Sequence, residues 1–246
     1  MNVQPAEPPN PLARKPVTRP GVLRFSAVEL LAVLALLFLS AAFIEDLPNG
    51  DVVETALVTG VMVASVLAVG RRRRSLTIAL LLVAPAAAAR WANHFWPGIA
   101  SSLVSLFAHI AFFGFVVAHL VRFILRAPHV DANVLCAGLS GYLLLGLLWV
   151  PAYMAVAKVN PGAFRLPSGP GETKTLTSFN AFYFSFMTLS TVGYGDITPV
   201  SKGARMLAVM EAITGLFYVA VLISRLVAIY SSPQRPAGTG NDAPSG

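Results

Sequence analysis

The stretch Thr191-Val192-Gly193-Tyr194-Gly195-Asp196 decides how this chain is interpreted. It follows a short apolar segment, 178–190, and precedes a long one, 204–230. A helix needs roughly 20 residues to cross the hydrocarbon core of a bilayer, so the short segment cannot span it. Because non-helical backbone cannot face lipid, the hexapeptide is predicted to be buried in protein or to line a water-filled path.

The composition is that of a membrane protein. Of the 246 residues 56% are hydrophobic and only 12% are charged, whereas soluble domains carry about 25% charged residues. The net charge of +7 could indicate nucleic acid, but the bases fall in short clusters between apolar segments, which is typical of topology signals. The sequence therefore predicts no nucleic-acid partner. The single cysteine, Cys136, excludes a disulfide framework within the chain.

Six apolar segments are long enough to cross a membrane: 25–44, 52–70, 75–92, 99–126, 134–157 and 204–230. The first segment also resembles a signal peptide, but its length exceeds the roughly 7–15 apolar residues of such a signal. The predicted fold class is an all-α membrane protein with six transmembrane helices. A re-entrant helix and the hexapeptide loop lie between helices five and six.

The distribution of bases predicts the orientation. In a six-span topology, 12 of the 18 lysine and arginine residues fall on one side of the membrane. The positive-inside rule places that side, with both termini, in the cytoplasm, and the protein in the inner cell membrane as a multi-pass protein. Four parts are predicted: a disordered cytoplasmic arm (1–24), a four-helix transmembrane bundle (25–126), a domain around the hexapeptide (127–230) and a disordered cytoplasmic tail (231–246).

The residues from Phe179 to Pro199, FNAFYFSFMTLSTVGYGDITP, resemble the pore helix and selectivity filter of tetrameric potassium channels. Together with the apolar segments on either side, about 134–230, they are similar to small bacterial members of the voltage-gated-like ion channel superfamily. The first 130 residues match that family only in containing four predicted spans. The resemblance implies that the part from 127 to 230 is a pore domain.

The resemblance also implies roles for the hexapeptide. Backbone carbonyls would replace the water of a K⁺ ion, and Gly193 and Gly195 would supply the left-handed backbone that turns them toward one axis. Tyr194 would pack behind the filter, and Asp196 would lie at the outer mouth. The filter residues are Thr191, Val192, Gly193, Tyr194, Gly195 and Asp196, and the predicted support in the pore helix comes from Tyr183, Phe184, Thr188 and Ser190.

The pore helix departs from the family at one place. Many members carry a tryptophan pair where this chain has Tyr183-Phe184, although the Tyr183 hydroxyl could still donate to Asp196. The negative end of the helix dipole is expected to favour a cation in the central cavity. K⁺ ions in the filter are the predicted bound species, and no organic cofactor is expected.

One filter strand cannot surround an ion, so the single motif predicts a C4 homotetramer in membrane lipid. By resemblance the last apolar segment lines the cavity and contains a glycine that acts as a hinge or as a close packing contact. The predicted hinge and cavity residues are Gly215, Leu216, Val219, Ile223 and Val227. Glu211 is costly inside a membrane and is expected to find a hydrogen-bonding partner behind the filter.

The four-helix bundle is not expected to sense voltage. A sensor moves several charges through the field, whereas segment 99–126 offers only His109, His119, Arg122 and Arg126. The arginines lie at its cytoplasmic end, and the histidines are more simply explained as packing residues than as pH sensors. The short link 127–133 predicts that each bundle packs beside its own pore.

The sequence therefore predicts a passive potassium-selective channel that is not voltage-gated and is not an enzyme. A poorly selective cation channel remains an alternative, since filter context affects selectivity. A potassium-uptake transporter subunit is a second alternative, but such proteins usually carry several degraded filter loops, whereas this chain has one intact motif.

Overall fold

The computed structural model describes residues 27–44, 50–69, 73–95, 102–127, 131–167 and 175–230. The predicted terminal arm and tail lie outside these residues, as do parts of the loops between spans. Seven helices occupy the described ranges: α1 (Ala27–Ile44), α2 (Gly50–Val69), α3 (Arg73–Phe95), α4 (Ser102–Arg126), α5 (Ala132–Val159), α6 (Ser178–Leu189) and α7 (Lys202–Tyr230). The chain is an all-α membrane protein, as the sequence predicts.

Five of the described helices, α2, α3, α4, α5 and α7, are long and apolar enough to cross a membrane. The apolar part of α1, Ala27–Phe43, is shorter. The helix α6 occupies the segment that the sequence analysis found too short to span. These helices therefore coincide with the predicted segments to within a few residues, while the six-span count and the re-entrant path of α6 remain predictions.

Helices α1 and α4 pack against α5 of the same chain, while the packing of each bundle beside its own pore, which the short link before α5 suggests, remains a prediction. The link ends at Asp131, which caps α5 because its carboxylate accepts a hydrogen bond from Val134 N at 2.9 Å. At the other end of the bundle, Arg90 of α3 forms a 2.7 Å ion pair with Glu54 of α2. Helix α5 contacts α1 and α4 of the bundle as well as the helices α6 and α7.

Two long-range hydrogen bonds attach α7 to α5 and to the end of α4. The Tyr218 hydroxyl donates to Gly138 O of α5 at 2.7 Å. Closer to the end of α7, Arg225 Nη2 donates to Ala127 O, directly after α4, at 2.9 Å. Buried carbonyls at a helix end need donors, so the guanidinium of Arg225 acts as a cap for α4.

Two short strands were not predicted. β1 (Phe164–Arg165) follows α5, and β2 (Thr198–Pro199) follows the hexapeptide. They pair antiparallel, with Phe164 opposite Pro199, and Val200 N extends the contact by donating to Ala163 O at 2.7 Å. Two-residue strands have no sequence periodicity to detect. They clip the segment after the hexapeptide to the loop between α5 and α6.

Candidate functional site

The helix α6 aims its carbonyl end at the hexapeptide. Its first turn is capped by Thr177, whose hydroxyl accepts from Asn180 N at 3.2 Å. It ends at Ser190, whose hydroxyl donates back to Phe186 O at 2.6 Å. The carboxyl end of a helix carries partial negative charge, and here that end lies directly before Thr191.

The backbone of the hexapeptide alternates in handedness. Positive φ angles occur at Thr191 (60°), Gly193 (53°) and Gly195 (80°), so every second residue is left-handed. The sequence predicts this conformation at the two glycines, where it is free of steric cost. Thr191 was not predicted to share it, because a β-branched residue at positive φ is an outlier. Left-handed residues at alternate positions allow successive carbonyls to face the same side of the strand.

Main-chain hydrogen bonds attach the start of the hexapeptide to the last turn of α6. The amides of Val192 and Gly193 donate to Met187 O at 3.0 and 3.1 Å, and Thr191 N donates to Thr188 O at 3.0 Å. Thr188 therefore supports the strand through its carbonyl. Since these bonds consume the last carbonyls of α6, a shift of that turn is transmitted to the first three residues of the hexapeptide.

All six residues of the hexapeptide are exposed in the single chain. Tyr194 is 74% exposed, so its predicted packing behind the filter does not occur within one chain. The exposed side of this strand is therefore a surface that another molecule can cover.

Asp196 follows the alternating backbone and interacts with Tyr183, as the sequence suggested. The hydrogen bond from the Tyr183 hydroxyl holds the pKa of the Asp196 carboxyl below its usual range. Ile197 N also donates to Asp196 Oδ1 at 2.9 Å. The contact between Tyr183 and Asp196 is therefore made within one chain.

A Tyr183→Phe variant tests this contact. A carboxyl whose pKa is lowered on folding contributes stability that is present above its unfolded pKa and is lost as pH falls through the lowered value. Removing the hydroxyl is expected to move the Asp196 pKa up toward its ordinary value, which a ¹³C NMR titration of the carboxyl would measure. Tyr142→Phe, on α5, is the matched control, and an Asp196 pKa unchanged in Tyr183→Phe would contradict the contact.

Phe184 packs α6 against α5 and β1. It is 6% exposed and its ring packs edge-on against Tyr153 of α5 and Phe164 of β1, with centroids 4.9 and 5.6 Å away. The predicted supporting role of Phe184 is therefore one of packing. Because Phe164 belongs to β1, this aromatic cluster also fixes the position of β1, which pairs with β2.

Gly215 is a point of close approach. A Cβ atom at this position would lie 2.6 Å from Leu189 O and 2.8 Å from Leu189 Cδ1, at the end of α6. The helix α7 continues through Gly215 without interruption. These contacts favour the packing interpretation of the glycine over the hinge, which remains a prediction. The predicted cavity residues all lie on the exposed side of α7: Leu216, Val219, Ile223 and Val227.

Sequence reasoning missed two sets of residues. The first is Ser185, whose hydroxyl lies 2.6 Å from Glu211 Oε1; the sequence offers no sign of this pairing, because the two residues lie on different helices. The second is a set of glycines on α5 that admit side chains of α6 and α7: Gly138, Gly141 and Gly146. Small residues at the contacts between helices are a known feature of helix packing in membranes.

Part of the chain is similar to known proteins. Residues 134–232 match the family model described as "Ion channel". The chain is 39% identical to Protein LctB of Bacillus caldotenax over 88 residues, which are 35% of this chain and 64% of that protein. It is 33% identical to Two-pore potassium channel 4 of Arabidopsis thaliana over 95 residues, 39% of this chain and 33% of the relative.

A shorter match has a higher sequence identity. Over 36 residues the chain is 58% identical to Voltage-gated potassium channel Kch of Escherichia coli (strain K12), covering 15% of this chain and 9% of the relative. Each of these matches covers less than two thirds of the relative concerned. No solved structure matches the chain significantly.

Proposed function

We infer that the chain, whose residues 134–232 form an ion channel domain related to potassium channels, conducts K⁺ passively and selectively across a membrane as a homotetramer. This assignment makes the hexapeptide the selectivity filter and α6 the pore helix. It makes α7 the helix that lines the inner cavity. Two of the relatives are named potassium channels and the family model is described as "Ion channel", which supports a channel and not an enzyme.

The observation that carries the proposal is the alternating backbone of the filter. A K⁺ ion that enters a narrow pore must exchange its water for oxygens at similar distances. Carbonyls that face one side can supply those oxygens, and the left-handed φ angles at Thr191, Gly193 and Gly195 favour that orientation. The hydrogen bonds to Met187 and Thr188 hold the strand to the end of α6, where the helix dipole favours a cation.

The proposed tetramer rests on what one chain leaves incomplete. A single strand offers carbonyls from one side, and four strands around an axis would close the site. The exposed ring of Tyr194 and other exposed apolar residues of α7, which include Phe217 and Val221, are surfaces that neighbouring copies would cover. The apolar residues of α7 that face the axis of the tetramer would form the cavity wall.

We propose that the channel is not gated by voltage. In α4, Arg122 and Arg126 are the only arginines, and both are exposed in its last two turns. Arg90 of α3 is held in its ion pair with Glu54. Moving one charge through 100 mV yields only about 2.3 kcal/mol, so a steep voltage response needs several mobile charges in each subunit. The excess of bases on one side of the membrane supports placing both termini in the cytoplasm. The protein itself would lie in the inner cell membrane.

Ion flux in liposomes tests the proposal. The purified chain, reconstituted in vesicles, is expected to pass K⁺ and Rb⁺ with very little Na⁺, because only the larger ions fit the carbonyl spacing, and Ba²⁺ is expected to block it. Native mass spectrometry of the same preparation is expected to give four chains per particle. The measurement is made at several imposed potentials, where the flux should follow the driving force without a threshold.

Empty vesicles and vesicles that contain Tyr194→Ala protein are the controls. Equal Na⁺ and K⁺ flux through the unaltered protein would contradict selectivity and favour a poorly selective cation pore. Flux that depends on a second transported ion would favour the uptake transporter. A particle of two chains would contradict the four-strand filter.

A further inference from the structure

The most deeply buried acid of the described chain lies behind the proposed filter. Glu211 of α7 is 0% exposed, as are Tyr153 of α5 and Ser185 of α6. The Tyr153 hydroxyl donates to Glu211 Oε2, and Ser185 Oγ lies 2.6 Å from Glu211 Oε1. One carboxyl group therefore joins three helices.

Glu211 has no basic partner in the described part of the chain. Its polar partners are Tyr153 from α5 and Ser185 from α6, with the phenol of Tyr142 as the other titratable group within electrostatic range. A buried carboxylate without a cation is costly, and in a membrane it is more costly still. These surroundings favour an uncharged side chain.

Counting protons gives the same result independently. Ser185 Oγ also lies 2.9 Å from Gly146 O, which can only accept. A serine hydroxyl carries one proton, so with an ionised Glu211 only one of the two close contacts of Ser185 Oγ can be a full hydrogen bond. If the proton is instead on Glu211 Oε1, Glu211 donates to Ser185 Oγ, Ser185 donates to Gly146 O, and Tyr153 donates to Glu211 Oε2. Every group in the cluster is then satisfied.

The same cluster sets the position of the filter. The pairs Ser185–Glu211 and Leu189–Gly215 are both separated by 26 residues in sequence, so they are consecutive turns of one contact between two parallel helices. The contact ends at Leu189, and the carbonyls of Met187 and Thr188, which accept hydrogen bonds from the filter amides, lie between its two turns. A change at Glu211 therefore reaches the filter through less than two turns of α6.

We propose that Glu211 is a neutral carboxylic acid that positions the pore helix, through Ser185 and Tyr153, and so maintains the geometry of the selectivity filter. The filter role rests on the proposed function above. The neutral state does not, because it follows from burial and hydrogen bonding alone. Glu211 is a positioning residue, since it does not touch the permeating ion.

Three variants separate this proposal from simple packing. Glu211→Gln keeps one donor and one acceptor in the places of the neutral acid, so it is expected to retain the K⁺ flux and the K⁺/Na⁺ ratio. Glu211→Ala leaves two buried hydroxyls without their partner and is expected to reduce the K⁺ flux about tenfold or more. Ser185→Ala is expected to lower the K⁺/Na⁺ flux ratio, because it releases the pore helix from α7.

Ser140→Ala is the matched control. Ser140 is also 0% exposed, but it lies on α5 and its hydroxyl has no hydrogen-bonding partner within the described residues. It is expected to leave both flux and selectivity unchanged. Failure of Glu211→Gln to restore what Glu211→Ala loses would overturn the proposal, as would equal effects of the Ser185 and Ser140 variants on selectivity.

Infrared spectroscopy tests the neutral acid without reference to conduction. The unaltered protein at neutral pH is expected to show the carbonyl stretch of a protonated carboxylic acid, and Glu211→Gln is expected to remove that band. Absence of the band from the unaltered protein would overturn the neutral state. Presence of the band in a protein that passes no K⁺ would overturn the proposed function and leave the neutral Glu211 supported.

Discussion

We expect Gly193→Ala and Gly195→Ala each to abolish K⁺-selective flux. Both glycines have positive φ, 53° and 80°, where an L-residue with a Cβ atom is disfavoured by about 1–2 kcal/mol. Repeated in the four subunits of the proposed tetramer, the cost is about 4–8 kcal/mol per channel. The strand can relieve it only by rotating peptide units, which turns carbonyls away from the ion.

The effect is a backbone effect, since neither glycine has any atom within 4 Å of an added Cβ in the single chain. Gly60→Ala is the control: Gly60 lies in α2, also with open space, and without a positive φ. There alanine is expected to leave flux unchanged. The measurement is Rb⁺ uptake against Na⁺ uptake in vesicles, and retention of K⁺ selectivity in either filter variant would contradict the proposed carbonyl geometry.

We expect Gly215→Ala to be the next most damaging single substitution. The added Cβ would lie 2.6 Å from the carbonyl oxygen of Leu189, and a backbone atom at the end of a helix cannot rotate away. Overpacking of this kind costs about 1–3 kcal/mol in each subunit. The expected result is a loss of both K⁺ flux and the thermal stability of the assembled protein, measured on the same preparation.

The result also separates the two interpretations of Gly215. A hinge predicts altered flux in a protein whose assembly is as stable as before, whereas a close contact predicts that both fall together. Gly203→Ala, in the first turn of the same helix, is the control because nothing lies within 4 Å of an added Cβ there. Unchanged stability and unchanged flux in Gly215→Ala would contradict the close contact.

Much of the fold follows from composition and segment length. The lengths of apolar segments predicted the helices to within a few residues, because a bilayer fixes how long a spanning helix must be. The place of α6 was predicted for the opposite reason, since its segment is too short. The glycines of the filter indicated where the backbone would be left-handed, because glycine is the residue that adopts this conformation freely.

Other features depend on contacts between distant residues and have no local signal. Thr191 has a positive φ angle, which a β-branched residue disfavours. The hydrogen bonds that the amides of residues 191–193 donate to the last turn of α6 explain why this conformation is tolerated. The partner of Glu211 was expected but not identified, because Ser185 and Tyr153 look like ordinary helix residues. The strand clip was missed because it is two residues long on each side.

The cluster around Glu211 also dictates an order of assembly for the nascent chain. A ribosome completes α5 and α6 before it synthesises α7, and domains fold progressively as they emerge. The bond from Ser185 to Gly146 O can form at once, but the partners Glu211 and Gly215 do not yet exist. During synthesis α6 must therefore rest on α5 and on α1, whose Phe38 ring lies 4.6 Å from that of Phe186, and insertion of residues 202–230 adds its last contacts.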